Sequence, residues 1–473
     1  MSRAAVFLNH NKHDKQMFHR LINFCVKLVQ RYLPEPFIFA IVLTFVAIAV
    51  SIFGLGNSPL QVVTHWGDGV WGLLSFSMQM ALVLVCGSAL ADSAPVKKAL
   101  RGIASFPKTP TQAIIWVSAV SLLACWINWG FGLIVGVIFA KEIARAVKGV
   151  DYRLLIASAY SGFVVWHSGI SASIPLAMAT QGQALLDASA GCLTEPLPVG
   201  ETIFSGFNLI IAAVVMLALI LVNALMHPKG KEVISVDPSL LSDKEDPDQE
   251  HSLLAQQQAV VTPASRLENS RLLSLLVVLL GLGYLCISLF YQGGSFDLNA
   301  VIMLFMMLGI LLHRTPIRYV QSLTKATSSC AGILLQFPFY AGIMGVMTGL
   351  SADGSSIAGM ISEWCVRISN EQTFPLISFL SAGLVNVFVP SGGGQWAVQG
   401  PIMIPAGLQL GVSPAVTGMA LAWGDAWTNL IQPFWAIPAL AIAKLGAKDI
   451  MGFCLVDLLV VGLIVCLGFI FLV

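Results

Sequence analysis

From Pro36 to Gly54 the chain runs without a single charged residue, and stretches of the same kind recur to its C-terminus. That pattern constrains the fold more than any other feature. A helix that crosses the hydrocarbon core of a bilayer needs about 20 mostly apolar residues. Continuous candidates lie at 36–54, 70–92, 203–226, 271–291, 299–313, 327–350 and 451–473. Two more, 154–180 and 414–443, are apolar but interrupted by Gly, Pro and polar residues. Two further stretches, 113–147 and 372–405, are too long for one crossing and are broken near their middles. Charged residues make up only 10% of the 473, against roughly 25% in a soluble domain. So few charges cannot cover a surface facing water. The chain therefore predicts an all-α polytopic membrane protein.

Lysine and arginine concentrate in cytoplasmic loops, and here they are segregated although the net charge is only +1. The first 35 residues hold Arg3, Lys12, Lys15, Arg20, Lys27 and Arg31, and 18–33 mix apolar with polar positions. This predicts an amphipathic helix on the cytosolic interface, with no cleavable export signal visible. Loops 55–69 and 181–202 hold no Lys or Arg and fall outside. Loop 93–112 (Lys97, Lys98, Arg101, Lys108) and the segment from Lys141 to Arg153 are both basic, so 113–147 enters and leaves by the cytoplasmic face as a re-entrant hairpin. Linker 227–270 and loop 314–326 (Arg314, Arg318, Lys325) return inside. Hairpin 372–405 has only Arg367 within twenty residues and enters from outside. Lys444 and Lys448 place the end of 414–443 inside and the C-terminus outside.

The two halves repeat. Asn128 and Pro175 recur as Asn386 and Pro433, each 258 residues on, while Ser58-Pro59 recurs as Thr315-Pro316 and Gln79 as Gln336, 257 residues on. The order of elements is also shared: span, span, broken hairpin, interrupted span, span. Span 271–291 has no counterpart and reverses the second copy, giving the inverted repeat common in secondary transporters. The expected organisation is a cytosolic N-terminus at 1–35, a first membrane repeat at 36–226, a polar connector at 227–270 with an acidic core (Asp243, Glu245, Asp246, Asp248, Glu250), an adaptor at 271–291 and an inverted repeat at 299–473. That makes about nine spans and two re-entrant hairpins.

Broken helices survive in a bilayer only where protein or water surrounds them, so the breaks mark the candidate site. The first is Asn128 with Gly130 and Gly132; the second is Asn386 followed by Ser391, Gly392 and Gly393. A helix restarting after each would aim its N-terminal N–H groups, worth about half a positive charge, at the tip, where a carboxylate binds readily. The Asn carboxamides can donate to an anion or ligate a cation, so Na⁺ near Asn128 and Asn386 is one reading. The interrupted spans add Ser171 and Ser173 in the first half, and Asn429 and Gln432 in the second. Ser171 and Asn429 occupy equivalent repeat positions, as do His167 and Asp425.

No Lys or Arg lies between Arg153 and Lys229, or between Arg367 and Lys444. An anion at the midplane is costly unless neutralised; helix ends supply part of that and a co-transported H⁺ or Na⁺ the remainder. Asp425 is the leading candidate for carrying the ion, with His167 and Gln432 beside it; a hydrogen-bonded structural role is the alternative for His167. Trp129, Trp166 and Trp427 are placed to line a pocket for a short acyl tail, with an interfacial aromatic belt as the alternative.

The segments 66–82 (WGDGVWGLLSFSMQMAL), 127–136 (INWGFGLIVG), 203–208 (IFSGFN), 336–343 (QFPFYAGI), 389–401 (VPSGGGQWAVQGP) and 432–443 (QPFWAIPALAIA) resemble the AtoE-type short-chain fatty acid transporters, within the wider ion transporter superfamily. The similarity runs from about residue 20 to the end. The resemblance implies uptake of acetoacetate, butyrate and similar monocarboxylates across a bacterial inner membrane, an elevator-like movement, a homodimer, and substrate and Na⁺ held at the tips, a role carried here onto Asn128, Asn386, Ser391 and Gly392. A transporter of dicarboxylate, gluconate or arsenite, or a cation/proton exchanger, is the alternative. A membrane enzyme is disfavoured, because the chain has no HExxH, no Walker A loop and no metal-ligand cluster. Nothing calls for a cofactor or a nucleic-acid partner.

Overall fold

The computed structural model describes residues 20–32, 34–228, 230–236, 262–293 and 298–473. The basic residues before Arg20 and the acidic core of the 227–270 connector lie outside the described residues. Among the described residues every regular element is helical.

In the first half, a helix over 20–32 (α1) precedes α2 (Pro36–Leu55), α3 (Pro59–Val70), α4 (Leu74–Asp92) and α5 (Ala94–Ala104). A hairpin of α6 (Pro110–Ile127) and α7 (Trp129–Ala146) follows. Next come α8 (Tyr152–Ser161), a 3-10 turn (Gly162–Ser168), α9 (Ser173–Met178), the short α10 (Gln183–Ala188) and α11 (Gly206–Leu225). Helices α12 (Pro263–Glu268) and α13 (Arg271–Phe290) join the halves. The second half holds α14 (Leu298–His313), α15 (Pro316–Thr327), α16 (Ala331–Thr348) and α17 (Ile357–Arg367). A second hairpin, α18 (Phe374–Asn386) and α19 (Gly392–Gln409), leads to α20 (Pro414–Asn429), α21 (Pro433–Ala443) and α22 (Ala447–Phe471).

The repeat is visible in where helices start. Helices α3 and α15 are each 12 residues long, begin on a proline preset for the first helical turn, and follow Ser58 and Thr315 as N-caps. Helices α7 and α19, which restart the chain after each break, are each 18 residues long. The basic stretch 93–112, read from sequence as a loop, contains α5, which leaves α4 at 80° and so runs across the direction of the span. By length and composition, seven helices among the described residues can cross a membrane, or eight if the bent α4–α5 pair is one span. Two of the nine expected spans are not single helices of full crossing length. Helix α14, with 16 residues, is about 24 Å long at 1.5 Å per residue, and 414–443 divides into α20 and α21.

Helices α6 and α7 run antiparallel. A Cβ added at Gly132 would collide with the backbone of Cys125, so only glycine lets the two arms close just behind the tip. Ser121 on α6 donates its hydroxyl to the carbonyl of Ala159 on α8, tying the hairpin to the interrupted span beside it. That span, Tyr152–Met178, is 89% enclosed by protein, which is what a backbone that leaves α-helical geometry at membrane depth requires.

Candidate functional site

Hairpin 1 turns on one residue. Asn128 takes extended backbone (φ −152°, ψ 119°) between α6 and α7, and its Oδ1 accepts from Phe131 N at 3.0 Å, capping α7. The interrupted span is sewn to this tip. Trp129 N donates to Ser171 Oγ at 3.0 Å, and Ile170 N donates to the Trp126 carbonyl at 2.8 Å. Gly130 and Gly132 are buried in the first turn of α7, and Ser173 opens α9.

Hairpin 2 turns over five residues, 387–391. Ser391 has nearly the backbone of Asn128 (φ −150°, ψ 111°) and accepts from Gly394 N at 3.4 Å, so Ser391 rather than Asn386 plays the capping part of Asn128 at the restart. Asn386 instead ends the first arm, fully buried against α20. Its Nδ2 faces three acceptors: the Asp425 carbonyl at 2.8 Å, Thr428 Oγ1 at 2.9 Å and Asn429 Oδ1 at 2.7 Å. The Thr428 hydroxyl spends its own hydrogen on the Gly383 carbonyl at 3.0 Å. Gln432 Nε2 donates to the Val387 carbonyl at 2.5 Å, and the Tyr160 hydroxyl donates to the Asn429 carbonyl at 2.5 Å. The Asn386 amide nitrogen and one hydrogen of Gln432 Nε2 are thus committed to protein, and the two side-chain oxygens face elsewhere.

Between the two interrupted spans, His167 Nδ1 lies 2.9 Å from Asp425 Oδ2, both side chains fully buried. Ile174 N donates to His167 Nε2 at 3.0 Å. A ring nitrogen that accepts carries no proton, so the proton sits on Nδ1 and points at the carboxylate. This geometry makes His167 a neutral donor that orients Asp425, the structural alternative weighed above. Asp425 Oδ2 also takes a long contact from Asn429 Nδ2, 3.4 Å. Three buried oxygens of this cluster, Asp425 Oδ1, Asn386 Oδ1 and Gln432 Oε1, are reached by no hydrogen-bond donor among the described residues.

Both restarting helices abut one aromatic pair. Trp166 stacks on His167 with ring centroids 4.0 Å apart, and Trp129 of α7 packs on Trp166 at 5.9 Å. On the other restart, a Cβ added at Gly392 would strike the His167 ring and come against Trp166, so the backbone of α19 lies directly on the pair. Gly393 is exposed and touches none of this. Trp427 does not join: its indole donates to the Leu458 carbonyl at 2.7 Å and its ring lies against Phe379, facing α22. Trp435 of α21 takes that place, 5.4 Å from Trp129 and 6.1 Å from Trp166. Sequence reasoning did not single out Trp435 or Tyr160 for the site. Trp435 stands beside the interrupted 424–433 segment and was findable as its neighbour. Tyr160 had no local signal.

The profile of the short chain fatty acid transporter family matches residues 17–472. A protein of Escherichia coli strain K12, described as a candidate short-chain fatty acid transporter, is 45% identical over 452 residues, covering 96% of this chain and 99% of that one. A Haemophilus influenzae protein of the same description is 43% identical over 459 residues, covering 96% and 100%. The crystal structure of the Alcanivorax borkumensis YdaH transporter superposes with a TM-score of 0.45 at 16% identity, covering 93% of this chain and 97% of that one.

Proposed function

The chain belongs to the short chain fatty acid transporter family, and from that premise we propose that it takes up butyrate, acetoacetate and similar monocarboxylates across a bacterial inner membrane, driven by Na⁺. It is a multi-pass membrane transporter rather than an enzyme. The carboxylate docks at the starts of α7 and α19, where Asn128 and Ser391 cap the helices and the positive end of each helix dipole favours an anion. Its short tail lies against Trp129, Trp166 and Trp435. Na⁺ is held as cargo by Asp425, Asn386 and Gln432. The basic segments face the cytoplasm, with the C-terminus in the periplasm, and the assembly is a homodimer.

One observation carries this reading: three buried oxygens, one of them a carboxylate's, point away from every donor beside a break in a membrane helix. Oxygens of this kind ligate hard cations, and transporter sites pair such a cation with an anion at a half-helix N-terminus. The neutral donors at the tips suit a monoanion, because a dianion would need more compensation than two helix ends provide.

The test is uptake of labelled butyrate into proteoliposomes under an imposed Na⁺ or pH gradient, with succinate as competitor. Accumulation should follow the Na⁺ gradient, and succinate should not compete. Asn128→Ala and Asn386→Ala should each lose uptake at least tenfold, about 1.4 kcal/mol, while remaining folded. Normal transport by both variants removes the site; accumulation driven by a pH gradient alone removes Na⁺.

A further inference from the structure

A cavity of about 350 Å³ lies well away from the midplane cluster, and it is strongly cationic. Lys97, Lys141, Arg145, Lys325 and Lys444 line it, with Asp92 and Glu142 as its acids. Five bases against two acids leave three positive charges in excess. Both acids are already engaged, Asp92 with Lys97 at 2.7 Å and Glu142 with Arg145. The bases come from four separate segments, each of which the Lys/Arg distribution assigns to the cytoplasmic side. The chain folds so that its scattered cytoplasmic charge converges on one hollow.

Two helices link the cavity to the midplane site. Helix α7 starts at the hairpin tip with Trp129 and reaches the cavity at Ile138 and Lys141, about 14–18 Å along its axis at 1.5 Å per residue. Helix α21 starts after the interruption at 430–432 and reaches the cavity at Ala441 and Ile442. The two run side by side over that length. Trp129 and Trp435 are 5.4 Å apart at the midplane end, and Lys141 Nζ donates to the Ile442 carbonyl at 3.1 Å at the cavity end. The opposite wall comes from α4, α5 and α15.

We propose that this cavity is a second anion site, a cytoplasmic station that takes the monocarboxylate as it leaves the midplane along α7 and α21. The inference rests on the transport reading for the identity of the anion and on the cavity alone for its charge. At the midplane the anion is held by neutral donors; in the cavity it meets excess positive charge, which concentrates anions and speeds their capture and is screened by salt over about 10 Å at 0.1 M. Carboxylate in the cytosol therefore competes for this station, and the transporter senses product on that face.

The closing experiment reads the cavity without transport. Ala91→Cys places a thiol on its wall, in a background where Cys192, Cys286 and Cys466 are Ser, since the other cysteines are buried. An anionic methanethiosulfonate should label this thiol at least about fivefold faster than a cationic one, relative to their rates with free thiol, within the range that focused fields give. Butyrate should slow the anionic reagent, and Lys325→Gln with Lys444→Gln should erase both effects. Equal rates for the two reagents, or a preference that survives the double variant, overturn the anion site. Protection by pyrophosphate but not by butyrate overturns the monocarboxylate. In proteoliposomes the double variant should raise the butyrate KM on the basic face alone, again about fivefold; an equal rise on both faces sinks the station. Absence of butyrate transport with the labelling preference intact would count against the transport reading and leave the anion site standing.

Discussion

His167 Nδ1 and Asp425 Oδ2 are 2.9 Å apart, and the two residues are separated by 258 positions, the same interval that relates Asn128 to Asn386. Residues that are equivalent in two inverted copies can touch only where the symmetry axis passes between them. The pair therefore lies on the seam between the two interrupted spans. Its asymmetry, a base in one copy and an acid in the other, is where the halves have diverged in chemistry while keeping their place.

Replacing His167 tests the neutral-donor assignment. Glutamine can donate to Asp425 from its amide nitrogen and accept from Ile174 N with its oxygen, so His167→Gln should keep uptake within about threefold of wild type. His167→Leu leaves a buried carboxylate without its donor, a loss on the order of 3 kcal/mol, and should abolish uptake. A histidine that carried the transported proton would fail equally in both variants, measured as initial rates of butyrate uptake.

The cap at hairpin 1 separates shape from ligand. Asn128→Ser keeps an oxygen that can accept from Phe131 N, whereas Asn128→Ala loses a cap worth about 1 kcal/mol. Serine should therefore restore the thermal stability that alanine loses, while neither restores full uptake, because the carboxamide nitrogen is gone in both. Full uptake by the serine variant would assign Asn128 a purely structural part.

Gly392→Ala puts a methyl group into the His167 ring. The expected result is loss of butyrate uptake with the protein still extracted as a folded species, since the backbone there is extended or helical and alanine itself is tolerated. Gly393→Ala, at an open position, should transport normally and serves as the control.

Trp435 should set acyl length. Trp435→Leu shortens the wall opposite Trp166 and should move the preferred substrate from four carbons toward six, read as the ratio of butyrate to hexanoate uptake. An unchanged ratio would place the tail elsewhere.

A pH effect is expected at the end of α11, away from the site. His227 Nε2 accepts from Asp151 N at 3.2 Å, and Ile234 N donates to Asp151 Oδ2 at 2.9 Å, so the chain after α11 docks on the start of α8. Burial holds the His227 pKa below its ordinary 6.5. The docked form refuses a proton that the undocked form takes, so docking is fully stabilised above 6.5 and weakens as pH falls through that value. Protection of the 230–236 amides against hydrogen exchange, taken relative to the intrinsic rate at each pH, should fall between pH 7.5 and 5, and His227→Gln should remove the dependence.

Much of this architecture is legible in the chain because lipid imposes strong rules. Apolar runs announce helices, and the breaks stand out because Asn, Gly and Pro interrupt runs that are otherwise apolar. The harder part was side-chain direction. Trp427 and Trp435 lie on either side of the same break, and composition treats them alike; which one faces the tips follows from whether Leu458 or Trp129 lies opposite, a tertiary fact. Ser391 was legible as a polar residue before glycines, but its match to Asn128 in backbone shape depended on the extra length of the second tip. Span count was the weakest inference, since an apolar run such as 414–443 does not show whether it crosses as one helix or divides in two.

The unequal tips have a mechanical consequence. A turn of one residue offers two soft torsions, and the turn 387–391 offers nine because Pro390 fixes its own φ, so the second tip has more ways to bend than the first. The ease with which each tip bends is thus set by the length of its turn as well as by the groups that gather there.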